Sequence, residues 1–132
     1  VNGAFDMLHV GHVRYLADAR GRADVLIAAV NSDESVRLSK GPERPVVPEA
    51  ERVELLSHLW MIDLIVLFDS VTVGPVLERL RPHFHAKGTD YSVESVPERE
   101  IVATYGGDFM QMVRAKHRFF VSARAATRRH VS

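Results

Sequence analysis

The run VLIAAV, residues 25–30, is apolar at every position and is closed at once by Asn31-Ser32-Asp33. A strand with one wet face alternates apolar and polar residues. One that is apolar throughout is buried on both faces, as in a parallel sheet covered by helices. LIVLF at 64–68 reads as a second buried strand, and FHAKG at 84–88 and DFMQMV at 108–113 supply a third and a fourth. Helical signals lie between them. PEAERVELLSHLW, 48–60, has Pro48 near its start and acids in its first turn. Val53, Leu56 and Trp60 then recur at helical spacing, and the lone Trp60 is expected in the core. Val73, Val76, Leu77 and Leu80 form the inward stripe of a helix stopped by Pro82, and VPEREIVATYGG, 96–107, starts on Pro97 and stops on Gly106-Gly107. With residues 1–4 as the end of a first strand, strand and helix alternate along the chain. This order predicts a single α/β domain: a Rossmann-like doubly wound parallel sheet of about five strands flanked by helices, with right-handed crossovers.

Composition narrows the function classes. The 132 residues suit one compact domain, and 17 basic side chains balance 17 acidic ones, so no global field argues for nucleic acid or a membrane surface. There is no cysteine and no apolar run of membrane-spanning length. Disulfides and thiolate metal sites are thus excluded, and a cytoplasmic setting is the expectation. The chain opens on Val1, and residues 1–132 are expected to be one domain of a longer polypeptide. The longest irregular stretch is SDESVRLSKGPERPVV, 32–47, expected as a functional loop. Ligands of open α/β sheets bind beyond the carboxyl ends of the strands. That edge gathers NGAFD, NSD, FDS, KGTDY and the segment after Val113.

Two histidines stand there, His9 and His12, three apart with Gly11 between them. On a helix these positions share a face, so both imidazoles can meet one ligand. At a helix start they add donors to a place that already favours phosphate. The plain alternative is a pair of exposed helix histidines. Gly11 allows close approach of a ligand or of backbone. No metal site is expected, because His58, His83, His85 and His117 supply no convincing ligand spacing. Lys40, before Gly41-Pro42, is suited to swing over a polyanion, with Arg44 a weaker candidate on the same stretch. Asn31 and Asp33 end a buried strand at the binding edge, where they meet a ligand or satisfy turn backbone. No G-x-G-x-x-G follows a strand, which disfavours dinucleotide chemistry.

GAFDMLHVGHVRYL resembles the signature of the cytidylyltransferase-like nucleotidyltransferases, whose H-x-G-H is related to that of class I aminoacyl-tRNA synthetases. The resemblance continues through AVNSDESVRLSKGPERPVVPEAERVELL, IDLIVLFDS and KGTDY, covering residues 2 to about 107. Its nearest branch looks like the heptose 1-phosphate adenylyltransferases. A close neighbour is the cytidylyltransferase domain that activates 2-hydroxyethylphosphonate in fosfomycin biosynthesis. The resemblance implies attack of a phosphate or phosphonate oxygen on the α-phosphorus of a nucleoside triphosphate, expelling pyrophosphate. The nucleophile arrives ionised, so positioning and charge stabilisation suffice and no general base is needed.

By this resemblance His9, His12 and Lys40 are the catalytic residues, holding phosphates and the charge that builds at the α-phosphoryl. Main chain at Gly3, Ala4 and Phe5, with Gly11, lines the phosphate site. Gly88 and Asp90 lie beside the nucleotide, while Tyr91 stacks on a ligand or packs. Asp6 serves structure or a magnesium ion, with capping of the helix as the alternative. Asn31, Asp33 and Arg52 are expected at the substrate, the alternative for Arg52 being an exposed helix charge. Mg²⁺ is expected with the triphosphate, and a homodimer is expected from the family. The tail departs from the family pattern. In VSARAAT, Ser122 matches the first hydroxyl of an I-S-T-T-like helix start, but Ala123 and Arg124 replace two threonines. Ser122 is assigned to the nucleotide and Arg124 to the substrate, a guanidinium suiting an oxyanion. The leading expectation is CMP transfer from CTP to a small phosphonate or phosphate, best 2-hydroxyethylphosphonate. The alternatives are heptose 1-phosphate adenylyl transfer from ATP and a silent nucleotide-binding regulatory domain.

Overall fold

The structure is a computed structural model, and it describes residues 1–88 and 97–112. In chain order the elements are β1 (Asn2–Gly3), α1 (Val10–Gly21), β2 (Ile27–Asn31), α2 (Asp33–Lys40), α3 (Glu49–Ser57), β3 (Leu64–Phe68), α4 (Gly74–Leu80), β4 (Phe84–Lys87), α5 (Glu98–Thr104) and β5 (Asp108–Gln111). All strand pairing is parallel. β1, β2 and β3 form one ladder, with Gly3 opposite Val30 and Asn31 opposite Phe68, and β4 pairs with β5 from Phe84 opposite Asp108. The α/β alternation and its parallel strands are as the sequence predicts.

The alternation of side chains along β2 explains why both of its faces had to be apolar. Ala28 and Val30 point into a core with Leu16 and Ala19 of α1 and Leu56 of α3. Ala29, between them, points the other way into a core with Val73, Leu77 of α4 and Val102 of α5. Helices therefore cover both faces, which is the doubly wound arrangement. Ala86 of β4 and Met112 belong to the first core, which places the β4–β5 pair against the same hydrophobic layer.

Four sequence expectations need correction. The stretch 32–47 is not one long loop: residues 33–40 form α2. Ser32 caps it by accepting from the Ser35 N–H at 3.2 Å, Asp33 and Glu34 follow in the first turn, and Gly41 ends it at φ 101°. Reading the polar side chains as loop missed that its inward residues, Ser35 and Val36, are small. LIVLF is the edge of its ladder rather than a doubly buried strand, and Leu64 remains 57% exposed. Trp60 lies past the end of α3 and is 48% exposed, so it is not core. The outer ends differ as well, since Val25 precedes β2 and is exposed and Leu80 at the end of α4 is exposed too.

Candidate active site

The turn after β1 delivers the chain into α1. Phe5 takes a left-handed conformation, φ 49°, uncommon for an aromatic residue, and its ring is buried in the first core. Strain of this kind is tolerated where packing over-determines it, and it often marks a functional turn. His9 follows as the N-cap of α1 and His12 sits one turn in. The two side chains cap reciprocally. The Gly11 N–H donates to Nδ1 of His9 at 3.0 Å, and the His9 N–H donates to Nδ1 of His12 at 3.2 Å. This is the capping-box arrangement with imidazoles in the place of hydroxyl and carboxylate.

The caps decide the chemistry of the rings. A neutral imidazole that accepts at Nδ1 carries its proton on Nε2. Both rings therefore present an Nε2–H donor away from the helix backbone, with centroids 4.0 Å apart. Protonation of His12 is disfavoured by its burial, then by the positive charges of His9 and Lys40, so its pKa lies below the ordinary imidazole value. Gly11 is explained by the same geometry. A Cβ there would stand 2.8 Å from Cε1 of His9, so the glycine makes room for the capping ring rather than for a ligand. Two backbone donors of the helix start are consumed by the histidines.

These rings line a cleft of about 660 Å³ at the carboxyl ends of β1, β2 and β4. Gly3, Ala4, Phe5, Asp6, Gly11, Asn31, Lys40 and Gly88 also line it, so most of the expected site residues converge. Lys40 reaches it as the last residue of α2, from a helix end instead of a free loop. A larger cleft of about 870 Å³ lies at the amino ends of the strands, near Ile27 and Phe84, and holds neither His9, His12 nor Lys40.

A second group of motif residues behaves differently. Arg52 is 1% exposed. Its Nε donates to the Val47 carbonyl at 2.9 Å, Nη1 to the carbonyls of Ala4 at 2.6 Å and Asn31 at 2.7 Å, and Nη2 to Oδ1 of Asp33 at 2.9 Å. Neither an exposed helix charge nor a residue on the cleft, it ties the ends of β1 and β2 to α3. Asp33 also accepts from the Glu49 N–H at 2.9 Å, and Asn31 donates from Nδ2 to Ser35 Oγ at 2.9 Å. Asp6 accepts from the N–H groups of Val46 at 3.0 Å and Val47 at 2.8 Å and from Arg44 at 3.4 Å. Burial pushes its pKa up, but these donors outweigh burial and hold it below the ordinary carboxylate value. Asp6 does not cap α1, since His9 does. Asp6, Asp33 and Arg52 thus form an internal brace beneath the turn that carries the histidines.

Asp90, Ser122, Arg124 and Tyr91 lie outside the described residues. Other residues, some of them within the quoted motifs, were assigned no role by the sequence. The Tyr15 hydroxyl donates to the Ala86 carbonyl at 2.5 Å, fastening α1 to β4. Lys87 at the end of β4 pairs with the buried Glu98 at 3.3 Å and reaches the cleft rim. Asn2 also lines the cleft and meets the buried His85 of β4. The available signal for His85 was a histidine at an inward position of an apolar strand.

The fold and this site define a class: an α/β domain of parallel strands whose cleft, at the carboxyl ends of those strands, is lined by two histidines of a helix start and a lysine. Comparison with known proteins gives that class its family. The cytidylyltransferase-like family description matches residues 1–128. The chain belongs to the cytidylyltransferase-like family and is a nucleotidyltransferase domain. It is 51% identical over 106 residues to the bifunctional protein HldE of Citrifermentans bemidjiense and 48% identical over 107 residues to that of Alcanivorax borkumensis. These alignments take in 80% and 81% of this chain but 22% of each relative, so the chain spans about a fifth of their length. A lipopolysaccharide core biosynthesis protein from Thermoplasma volcanium shares the fold, with a TM-score of 0.72 over 89% of this chain and 94% of that one, at 24% identity.

Proposed function

We propose that the domain transfers AMP from ATP to D-glycero-β-D-manno-heptose 1-phosphate, releasing pyrophosphate. The observation that carries nucleotidyl transfer is the pair of Nε2–H donors fixed by reciprocal capping beside Lys40. The choice of branch rests on the relatives. They are bifunctional HldE proteins, and the sequence itself resembles the heptose 1-phosphate adenylyltransferases. This favours the adenylyl alternative over CTP-dependent activation of 2-hydroxyethylphosphonate.

In the proposed reaction an acceptor phosphate oxygen forms a bond to the α-phosphorus, and the bond from that phosphorus to the β-phosphate bridging oxygen breaks. His9 and His12 donate from Nε2 to phosphoryl oxygens as negative charge builds there, and Lys40 balances the polyphosphate. No proton needs removal from the nucleophile, so the absence of an acid behind either imidazole is no deficiency. The described residues offer Mg²⁺ no cage: no group of three or more His, Asp or Glu side chains is placed to hold a metal. Asp6, the acid on the cleft, already accepts from three donors. A magnesium ion fits here as an escort of the triphosphate, shielding its charge, held by phosphate oxygens and water.

A cytoplasmic location and a homodimer belong to the same proposal. Sedimentation of the full chain measures the latter, and a monomer at micromolar concentration counts against it. The reaction is tested by a turnover matrix of ATP and CTP against heptose 1-phosphate and 2-hydroxyethylphosphonate, reading pyrophosphate. Fast release with ATP and the heptose phosphate is expected. Release only with CTP and the phosphonate reverses the branch, and nucleotide binding without release in any cell of the matrix favours a silent regulatory domain.

A further inference from the structure

His85 is a buried polar group, among the described residues, that nucleotidyl transfer does not use. It sits on β4, is 1% exposed, and packs edge-on to Phe109 with ring centroids 5.7 Å apart. Its Nε2 lies 2.8 Å from Oδ1 of Asn2 on β1, a contact that spans 83 positions of sequence. Its Nδ1 is buried with no partner among the described residues. A buried imidazole in this setting stays neutral: burial first, then nearby positive charge including Lys87, holds its pKa well below the ordinary imidazole value. The remaining question is which nitrogen holds the proton. With the proton on Nε2, the ring donates to Asn2 and leaves only a bare lone pair at Nδ1. With the proton on Nδ1, the protein would bury an orphaned N–H, which is rarer and costlier than an under-used acceptor. The Nε2–H tautomer follows, and it fixes the Asn2 amide with its oxygen toward β4.

An amide fixed by its oxygen has its NH₂ pointing elsewhere. Asn2 lines the cleft shared by His9, His12 and Lys40, and no described residue accepts from its Nδ2. We propose that Asn2 is a neutral phosphate-binding residue, donating from Nδ2 to a phosphoryl oxygen in this cleft, and that His85 is the positioning residue that keeps its amide from turning over. A neutral donor at this point has a chemical use. It recognises a phosphoryl oxygen without adding a positive charge beside His12, whose neutral state its acceptance at Nδ1 requires. Both the triphosphate tail and the acceptor phosphate present such oxygens.

The inference rests on the anion-binding reading of the cleft, and it is tested by binding, apart from turnover. Inorganic pyrophosphate and inorganic phosphate are titrated by calorimetry into the full chain and into Asn2→Ala, His85→Leu and His85→Gln. Asn2→Ala is expected to weaken one of the two anions about tenfold, the size of a lost hydrogen bond to a charged group. The anion affected identifies the triphosphate tail or the acceptor end. His85→Leu is expected to weaken the same anion severalfold. His85→Gln restores it, because a glutamine Nε2–H can donate to the same Asn2 oxygen. Nitrogen shifts of the wild-type imidazole should show His85 protonated at Nε2. Equal anion affinity in wild type and Asn2→Ala overturns the proposal, as does a His85 protonated at Nδ1. Weakened binding in Asn2→Ala supports it even where no turnover is found, a result that would count against nucleotidyl transfer alone.

Discussion

The residues that resemblance places around one substrate divide into two regions with opposite habits. At the rim, His9 and Lys40 are exposed and His12 is half-buried, and each imidazole lines the cleft with its Nδ1 bound to backbone. Beneath that rim, Arg52 of α3 is wholly buried and Asp6 nearly so, and their polar atoms are met by protein. The rim keeps donors in reserve for a ligand. The brace uses its donors to hold the rim in place. A shared sequence signature therefore does not imply a shared role, and the accounting of hydrogen bonds separates the two.

The sharpest way to break this division is at Arg52. Arg52→Met removes the guanidinium, leaves the carbonyls of Ala4 and Asn31 without its donation, and leaves the Asp33 carboxylate only the Glu49 N–H. Removing one side of a buried charged network costs about 3–5 kcal/mol. The expectation is a large fall in the urea midpoint, with nucleotide affinity lost only in step with the folded fraction. A variant of wild-type stability that cannot bind nucleotide would return Arg52 to the ligand.

His12→Ala tests the other side. Turnover should fall at least a hundredfold, about 2.7 kcal/mol of barrier. Stability should fall by about 1 kcal/mol, the usual size of a lost helix cap. Pyrophosphate release and a denaturation curve on the same preparation give both numbers. Less than a tenfold loss of turnover would remove His12 from the transition state and leave it only as a cap.

How much of this could be read from the sequence follows from the same division. The alternation of Ala28, Ala29 and Val30 between two cores was legible from their continuous apolar run, but the like run LIVLF ended at an edge, because position within the sheet is not written in the run itself. The histidine pair was legible as a pair, since spacing fixes it to one end of a helix. The direction of each nitrogen was not, because reciprocal capping depends on the rotamers that Gly11 permits. The brace was illegible for another reason. Arg52 looks like any charged residue on an amphipathic helix until its partners at Ala4 and Asn31, distant in sequence, are known. Asn2 and His85 were missed on the same ground, being polar residues in strands whose meaning is a contact across the fold. The helix α2 was missed because its exposed face is so polar that it resembles a loop.

A gentler test separates the regions by pH. Asp6 is held below its ordinary value of 3.8 in the folded protein by the Val46 and Val47 N–H groups and Arg44. Its contribution to stability is therefore full above that value and is lost as pH falls through the lower folded value. His12 shifts in the other region and at a higher pH. Its folded pKa lies below 6.5, so the unfolded chain takes up the proton first, and stability declines as pH falls from 6.5 toward that lower value. His85, whose pKa is likewise held well below the ordinary imidazole value, adds a decline of its own from 6.5 downward, so each contribution is read as the difference between a variant and wild type in a plot of unfolding free energy against pH. Asp6→Asn should flatten the acid end of the curve and lower stability near neutrality by about 2 kcal/mol, since hydrogen bonds to a charged group are the stronger kind. His12→Ala should shrink the decline just below 6.5 and leave the acid end unchanged. A change of slope at both ends in either variant would mean that rim and brace titrate as one unit, and the distinction between them would fail.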